Sequence, residues 1–351
     1  VGKLGESVVG EGLVHLDGLA GVGELVNVGG HGGVSGRRSL ESGHGEYRTD
    51  VGRERGSRVI TTAVIPAAGL GTRMLPATKV VPKELLPIDE RPALQLIVDE
   101  AVGAGVDHLV IITSRSKPAI EQYFASDPMV EASLERQGRG SAADQLRRYG
   151  NDIRVSFAYQ DRPEGLGHAI GCARAAVGEE PFFVMLPDEL MSNSSLLIGL
   201  ARVVEATGIG AVALKRMPRT ELSRYGIVAP VGEERTVSDL VVFPFVGVVE
   251  KPAVDDAPSD LAIIGRYALT PDIFDDLDAL TPGSTGELQL TDALAAQAKR
   301  KPLWGVISEV GRIDIGNPLG WRQAVLEAAV DDPEHGAAFR RWLSARTAGL
   351  A

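Results

Sequence analysis

Apolar and polar positions change rhythm along this chain, and the change separates strands from helices. Short apolar runs bounded by turn residues predict strands at residues 59–66, 108–113, 155–159, 182–186, 210–214 and 241–249. Between them apolar residues recur at helical spacing. Over residues 93–105, Leu94, Ile97, Val98, Ala101 and Val102 form one face and Gly105 closes the run, which predicts a helix. Further helices are predicted at 168–177, 195–206, 319–330 and 334–345. Strands alternating with helices indicate an α/β domain, with a mixed, mostly parallel central sheet flanked by helices. No internal repeat interrupts this order.

The first 58 residues lack that rhythm. They hold 16 of the 42 glycines and none of the 20 prolines. So much glycine raises the entropy cost of ordering, with few large side chains to offset it. Residues 1–58 are therefore expected to be a disordered extension, and 59–351 the folded domain with its C-terminal helices. Because the chain begins at Val1 and regular pattern begins near Val59, the extension is hypothesised not to belong to the natural protein, with a flexible regulatory or tethering tail as the open alternative.

Composition narrows the class of function. A formal charge of −11 repels polyanions over most of the surface, so nucleic acid is not an expected partner and any phosphate site must be a local basic pocket. The one cysteine, Cys172, cannot form an internal disulfide, and no Cys/His motif has metal-ligand spacing. No apolar run approaches the length of a membrane span. These features predict a cytoplasmic protein without a membrane partner.

Candidate chemistry starts directly after the first predicted strand, with Ala67-Ala68-Gly69-Leu70-Gly71-Thr72-Arg73, then Met74-Leu75-Pro76-Ala77-Thr78-Lys79 and Pro82-Lys83-Glu84. Glycines let backbone N–H groups approach phosphate oxygens closely, and Arg73 and Lys83 supply countercharge. A tight strand-to-helix turn is the competing explanation for a Gly-x-Gly alone. A Walker-type loop is excluded because Gly71 is followed by Thr72-Arg73 and not by Lys-Ser/Thr. A dinucleotide fingerprint needs a third glycine where Met74 stands, and the second predicted strand ends too late, at Thr113.

Two aspartates stand at ends of apparent strands. Asp188 follows Leu186-Pro187, and Asp314 lies in Arg312-Ile313-Asp314-Ile315-Gly316-Asn317. Carboxyl ends of strands are where open α/β sheets bind ligands, and magnesium takes few carboxylates together with phosphate oxygens. Each aspartate taken alone is more often a helix cap or turn residue than a metal ligand. Glu189 adjoins Asp188, and Asp188 is preferred as the metal ligand.

These blocks resemble the bacterial UTP:glucose-1-phosphate uridylyltransferases, within the sugar-nucleotide pyrophosphorylases, from about Val64 to the tail helices near Leu343. The glycine loop through Glu84, Gly165-Leu166-Gly167-His168-Ala169, Leu186-Pro187-Asp188, Val249-Glu250-Lys251-Pro252, Gly286-Glu287-Leu288-Gln289-Leu290-Thr291-Asp292 and Asp314-Ile315-Gly316-Asn317 occur in family order. The resemblance implies a Rossmann-like nucleotidyltransferase fold and transfer of UMP from UTP to glucose 1-phosphate. It further implies that backbone at Ala68, Gly69, Leu70 and Gly71, with Gln160 and Gly165, receives the nucleotide. Gln160 is expected to offer uracil both a donor and an acceptor. Arg73, Lys83 and Lys251 would neutralise phosphates, Asp188 and Asp314 would hold Mg2+, Glu250 would accept from sugar hydroxyls, and Gly226 and Gly265 would contact the sugar. Gly226 and Gly265 are equally readable as strand bulges. His168 invites a general-base role, but the attacking phosphate is already ionised, which favours a structural role. The resemblance also implies a homo-oligomer. A thymidylyltransferase of the same superfamily, or a noncatalytic nucleotide-sugar-binding protein, are the rival readings.

Overall fold

A computed structural model describes residues 60–151, 153–283 and 286–348. The expectation of a disordered extension at 1–58 lies outside the described residues. The strands are β1 (Thr62–Pro66), β2 (Pro87–Ile88), β3 (Arg91–Pro92), β4 (His108–Thr113), β5 (Arg154–Tyr159), β6 (Phe182–Met185) and β7 (Glu189–Met191), followed by β8 (Ala211–Arg216), β9 (Gly226–Pro230), β10 (Arg235–Val237), β11 (Leu240–Glu250), β12 (Leu261–Leu269), β13 (Leu303–Ile307) and β14 (Arg312–Asp314). The main sheet runs β10-β11-β13-β8-β12-β6-β1-β4-β5, with β9 paired to β11 and β12.

Strand β1 is central because both its faces are covered. Ala63 and Ile65 enter one core cluster and Val64 the other, and Leu109 and Ile111 part from Val110 and Ile112 in the same way along β4. Side chains alternate across a strand, so a strand with both faces buried reads as a continuous apolar run. That is why β1 and β4 were legible. The predicted helix at 93–105 is Ala93–Gly103, and that at 195–206 is Ser195–Thr207. The single helix predicted at 168–177 is two, Leu166–Gly171 and Arg174–Val177; the break follows Gly171, a poor helix former.

Parallel pairing is less extensive than the sequence pattern predicts. β1 pairs in parallel with β4 and β6, β4 with β5, and β8 with β13. β12 then lies antiparallel between β6 and β8, and β9, β10 and β11 add further antiparallel pairs. Such pairs need no helical crossover, so the helix–strand alternation used to infer parallelism is blind to them. β12 itself is absent from the predicted elements, although all nine of its residues are buried, because Gly265 and Arg266 interrupt its apolar run.

This topology decides where loops gather. From β1 the chain moves outward to β4 and β5, then returns to β6 on the other side of β1. The carboxyl ends of β1 and β6 therefore flank a switch point, where a crevice opens in open α/β sheets. The glycine loop leaves β1 there, and Asp188 leaves β6. A separate ribbon of β7 and β14 sits beyond β6, with Asp314 opposite Glu189.

Candidate active site

The ribbon brings the two aspartates together. Antiparallel pairing sets Asp314 across from Glu189, next to Asp188, and Ile315 N–H donates to the Asp188 carbonyl at 2.9 Å. Both carboxylates close over Gly316. A Cβ built there would lie 2.8 Å from Asp188 Oδ2 and 3.1 Å from Asp314 Oδ1, so the two oxygens are no farther apart than the sum of those distances. Gly316 N–H donates to Asp314 Oδ1 at 2.9 Å, and Arg224 Nη2 to Asp314 Oδ2 at 3.0 Å.

Lys83 arrives from the far end of the glycine segment and donates to Asp188 Oδ2 at 2.8 Å. Burial alone would raise the Asp188 carboxyl, but Lys83 and Arg73 outweigh it and hold the group below its ordinary range. Burial works against the Lys83 ammonium too, and Asp188 and Glu84 more than restore it, leaving its pKa raised. The segment is packed to permit this. Gly71 adopts the left-handed region at φ 64°, Thr78 Oγ1 donates to its carbonyl at 2.8 Å, and a Cβ on Gly71 would stand 3.3 Å from Lys83 Cβ. Beneath the loop, Lys117 Nζ donates to the Ala67 carbonyl at 2.8 Å and to buried Glu84 at 3.0 Å.

Glu189, the rival metal ligand, is committed elsewhere. Arg312 Nε and Nη2 grip its two oxygens at 2.6 and 2.7 Å. Burial, with Asp188 and Asp314 nearby, pushes Glu189 up to about 7, and the guanidinium opposes that rise. Asp188, which also lines the cavity, is held by the single Lys83 bond and not by a two-oxygen clamp.

A cavity of about 420 Å³ opens beside the aspartates, its wall including Arg73, Glu250, Lys251, Gly226, Gly265 and Thr291. Glu250 pairs across the sheet with Gly226, where a Cβ would meet Thr291 Cγ2 at 2.8 Å and Glu250 Oε2 at 3.3 Å. Glycine is thus the residue that lets these side chains close in. Lys251 Nζ donates to Glu250 Oε1 at 2.7 Å, and its backbone holds φ 44°, a conformation costly for a residue with a Cβ. Gly265 sits at φ 72° in a β12 bulge against β8, and a Cβ there would meet Glu189 Cγ at 3.0 Å and Leu186 Cβ at 3.1 Å. Gly265 is therefore a strand bulge and part of the cavity wall. Thr291 Oγ1 is buried without a hydrogen-bond partner among the described residues.

Ala68, Gly69, Leu70, Gly71, Gln160 and Gly165 lie outside this cavity wall. Gly165 (φ 101°) and Gly167 pack against the backbone of Leu288 and Gln289: Gly167 N–H donates to the Leu288 carbonyl at 2.7 Å and Leu288 N–H to that of Glu164 at 2.8 Å. Two motifs distant in sequence thereby become one wall. Gln160 Nε2 donates to the Gly165 carbonyl and to His168 Nδ1, each at 2.9 Å. Both amide N–H groups of Gln160 thus face protein partners, which leaves Oε1 as its further acceptor. His168 is held between Gln160 and Glu164, consistent with a structural role. The sequence reading gave no role to Arg224, Arg312 and Lys117, since an ion-pair partner carries no periodic signal, nor to Thr291, which stood only inside a quoted motif.

Among the described residues no helix is long and apolar enough to cross a membrane. A model of the family described as nucleotidyl transferase matches residues 62–330. A UTP–glucose-1-phosphate uridylyltransferase of Staphylococcus epidermidis is 39% identical over 277 residues, covering 78% of this chain and 94% of that protein. The UTP-bound UGPase of Acinetobacter baumannii is 33% identical, with a TM-score of 0.73 over 81% of this chain and 98% of its own. A UDP-glucose pyrophosphorylase complexed with UDP-glucose is 37% identical, with a TM-score of 0.68 over 76% and 97%. With aspartates, lysines and glycine loop gathered at one switch point, and with relatives of this similarity over nearly their whole length, the chain belongs to the nucleotidyl transferase family, among the UTP–glucose-1-phosphate uridylyltransferases.

Proposed function

We propose that this protein transfers UMP from UTP to glucose 1-phosphate, giving UDP-glucose and pyrophosphate, with magnesium held by Asp188 and Asp314. The observation that carries this reading is the meeting of those two carboxylates over Gly316, beside Lys83 and at the wall of a cavity that also presents Arg73, Glu250 and Lys251. Oxygen donors alone, two carboxylates with room for phosphate oxygens and water, fit magnesium and not a softer metal. Bound there, the ion supplies Lewis-acid neutralisation of the triphosphate.

A phosphate oxygen of glucose 1-phosphate attacks the α-phosphorus of UTP; the new P–O bond forms as the bond to the bridging oxygen breaks, and pyrophosphate leaves with that electron pair. The obstacle is charge. At 4 Å two like unit charges repel by about 4 kcal/mol at an effective dielectric of 20, and several such pairs meet here. Arg73 and Lys83 serve the triphosphate and Lys251 the sugar phosphate, which also aligns them for in-line attack. Lys83 has three N–H groups, so it can keep Asp188 and still donate to a phosphate oxygen. Glu250, with Thr291 beside it, accepts from sugar hydroxyls, and Gly226 and Gly265 keep the sugar pocket open. Backbone at Ala68, Gly69, Leu70, Gly71 and Gly165 faces the nucleotide, and Gln160 Oε1 accepts from the uracil ring N–H. The sugar phosphate arrives ionised, so no general base and no covalent enzyme intermediate enter. A cytoplasmic setting and a homo-oligomeric assembly belong to the same reading.

Pyrophosphate release tests it, with UTP and dTTP each offered against glucose 1-phosphate and galactose 1-phosphate. Fastest release from UTP with glucose 1-phosphate is expected. Binding of UDP-glucose without release from any pair would make the protein a nucleotide-sugar sensor instead, and faster release with dTTP a thymidylyltransferase.

A further inference from the structure

Arg266 is completely buried, with none of its surface exposed, and so cannot touch a substrate. Every N–H of its guanidinium is nevertheless used. Nε and Nη2 donate to Glu100 Oε1 and Oε2 at 2.9 and 2.7 Å, from the helix Ala93–Gly103. Nη1 donates to the carbonyls of Leu186 and Gly265, each at 3.0 Å, and Nη2 to the carbonyl of Glu189. Leu186 and Glu189 are the residues that bracket Pro187-Asp188. Pairing of Arg266 with Met185 between β12 and β6 sets the guanidinium directly under this turn.

We propose that Arg266, neutralised by Glu100, is a positioning residue that fixes the Leu186–Glu189 turn so that Asp188 meets Asp314 at the metal. The inference rests on the metal reading above. Stability alone is a poor reason for the pair, because a buried ion pair is often matched or bettered by apolar residues of similar volume. What apolar residues cannot supply is two donors aimed at the carbonyls on either side of one aspartate. With Ile315 N–H on the Asp188 carbonyl, the turn's backbone is tied at three points, leaving the carboxylate only its side-chain torsions.

The test uses the full chain with UTP, Mn2+ as a paramagnetic stand-in for Mg2+, and three readouts: bound Mn2+ by electron paramagnetic resonance, kcat and KM for pyrophosphate release, and melting temperature. Arg266→Lys keeps a charge for Glu100 but lacks the planar fork; it is expected to weaken Mn2+ binding and lower kcat by about 10- to 100-fold, as loss of a supporting shell does, with KM for glucose 1-phosphate unchanged. Glu100→Leu/Arg266→Met leaves no unpaired buried charge, so its melting temperature should exceed that of Arg266→Met alone while Mn2+ affinity stays low. A folded variant with the wild-type Mn2+ affinity and kcat overturns the proposal, and so does failure of all these variants to fold, which would make the pair a support of the whole core. Wild type and Asp188→Asn run alongside: if wild type binds no Mn2+ with UTP, or Asp188→Asn binds it equally well, the metal reading itself has failed and takes the proposal with it.

Discussion

Gly316→Ala probes the convergence of the two aspartates with a single methyl group. The glycine is not in the left-handed region, so alanine adds no backbone strain there. Its Cβ would stand 2.8 Å from Asp188 Oδ2 and 3.1 Å from Asp314 Oδ1, whereas ordinary contact begins at 3.4 Å. The Asp188 oxygen must therefore retreat by about 0.6 Å, the difference between 3.4 and 2.8, and the Asp314 oxygen by about 0.3 Å. Neither moves freely, because Lys83 holds one and the Gly316 and Arg224 N–H groups hold the other. Overpacking of this kind costs about 1–3 kcal/mol of stability. Misplacement by about 1 Å can cost about 100-fold in rate, so a shift of roughly half that predicts a fall in kcat of about 10-fold, together with a higher magnesium requirement. Pyrophosphate release over a magnesium titration, with thermal unfolding as the control for folding, measures both. If kcat and the magnesium requirement match wild type in a folded Gly316→Ala protein, the carboxylates do not act together at that point.

Gly69→Ala tests the loop rather than the metal. Among the described residues a Cβ there meets nothing within 4 Å, so melting temperature should hold while KM for UTP rises; an unchanged KM removes Gly69 from the nucleotide. Lys251→Ala should raise KM for glucose 1-phosphate more than that for UTP, and equal effects on both would end its assignment to the sugar phosphate. His108 supplies a pH prediction. Burial first, then Arg154, depress its pKa below 6.5, with Asp107 opposing. The unfolded chain consequently binds the proton more tightly, and stability should fall as pH drops below 6.5 through the folded pKa. In His108→Gln, which can keep a bond to Ser156, the fall in melting temperature over that range should flatten; the same slope in both proteins assigns it to other groups.

Legibility in the sequence depended on whether a feature was local. Strand β4 and the helix Ala93–Gly103 are declared by apolar residues at periods set by backbone geometry, and the glycine loop by residue types that few other turns need. Strand β12 was not legible, because a bulge glycine and a buried arginine make it look neither apolar nor alternating. The fate of residues also escaped local reading: Glu189 and Asp188 are neighbours of equal chemistry in the sequence, yet Arg312 grips both oxygens of one and Lys83 a single oxygen of the other.

By itself, the order of residues determined the α/β class, the segment from Ala68 to Lys83 as a candidate phosphate loop, and the two aspartates as candidates for one metal. Only the tertiary structure decided that they meet, that the Gln160 amide turns to Gly165 and His168, and that Arg266 ties the backbone around Asp188. Periodicity and residue type act over a few positions, whereas ion pairs and close approaches join segments that strand pairing alone brings together.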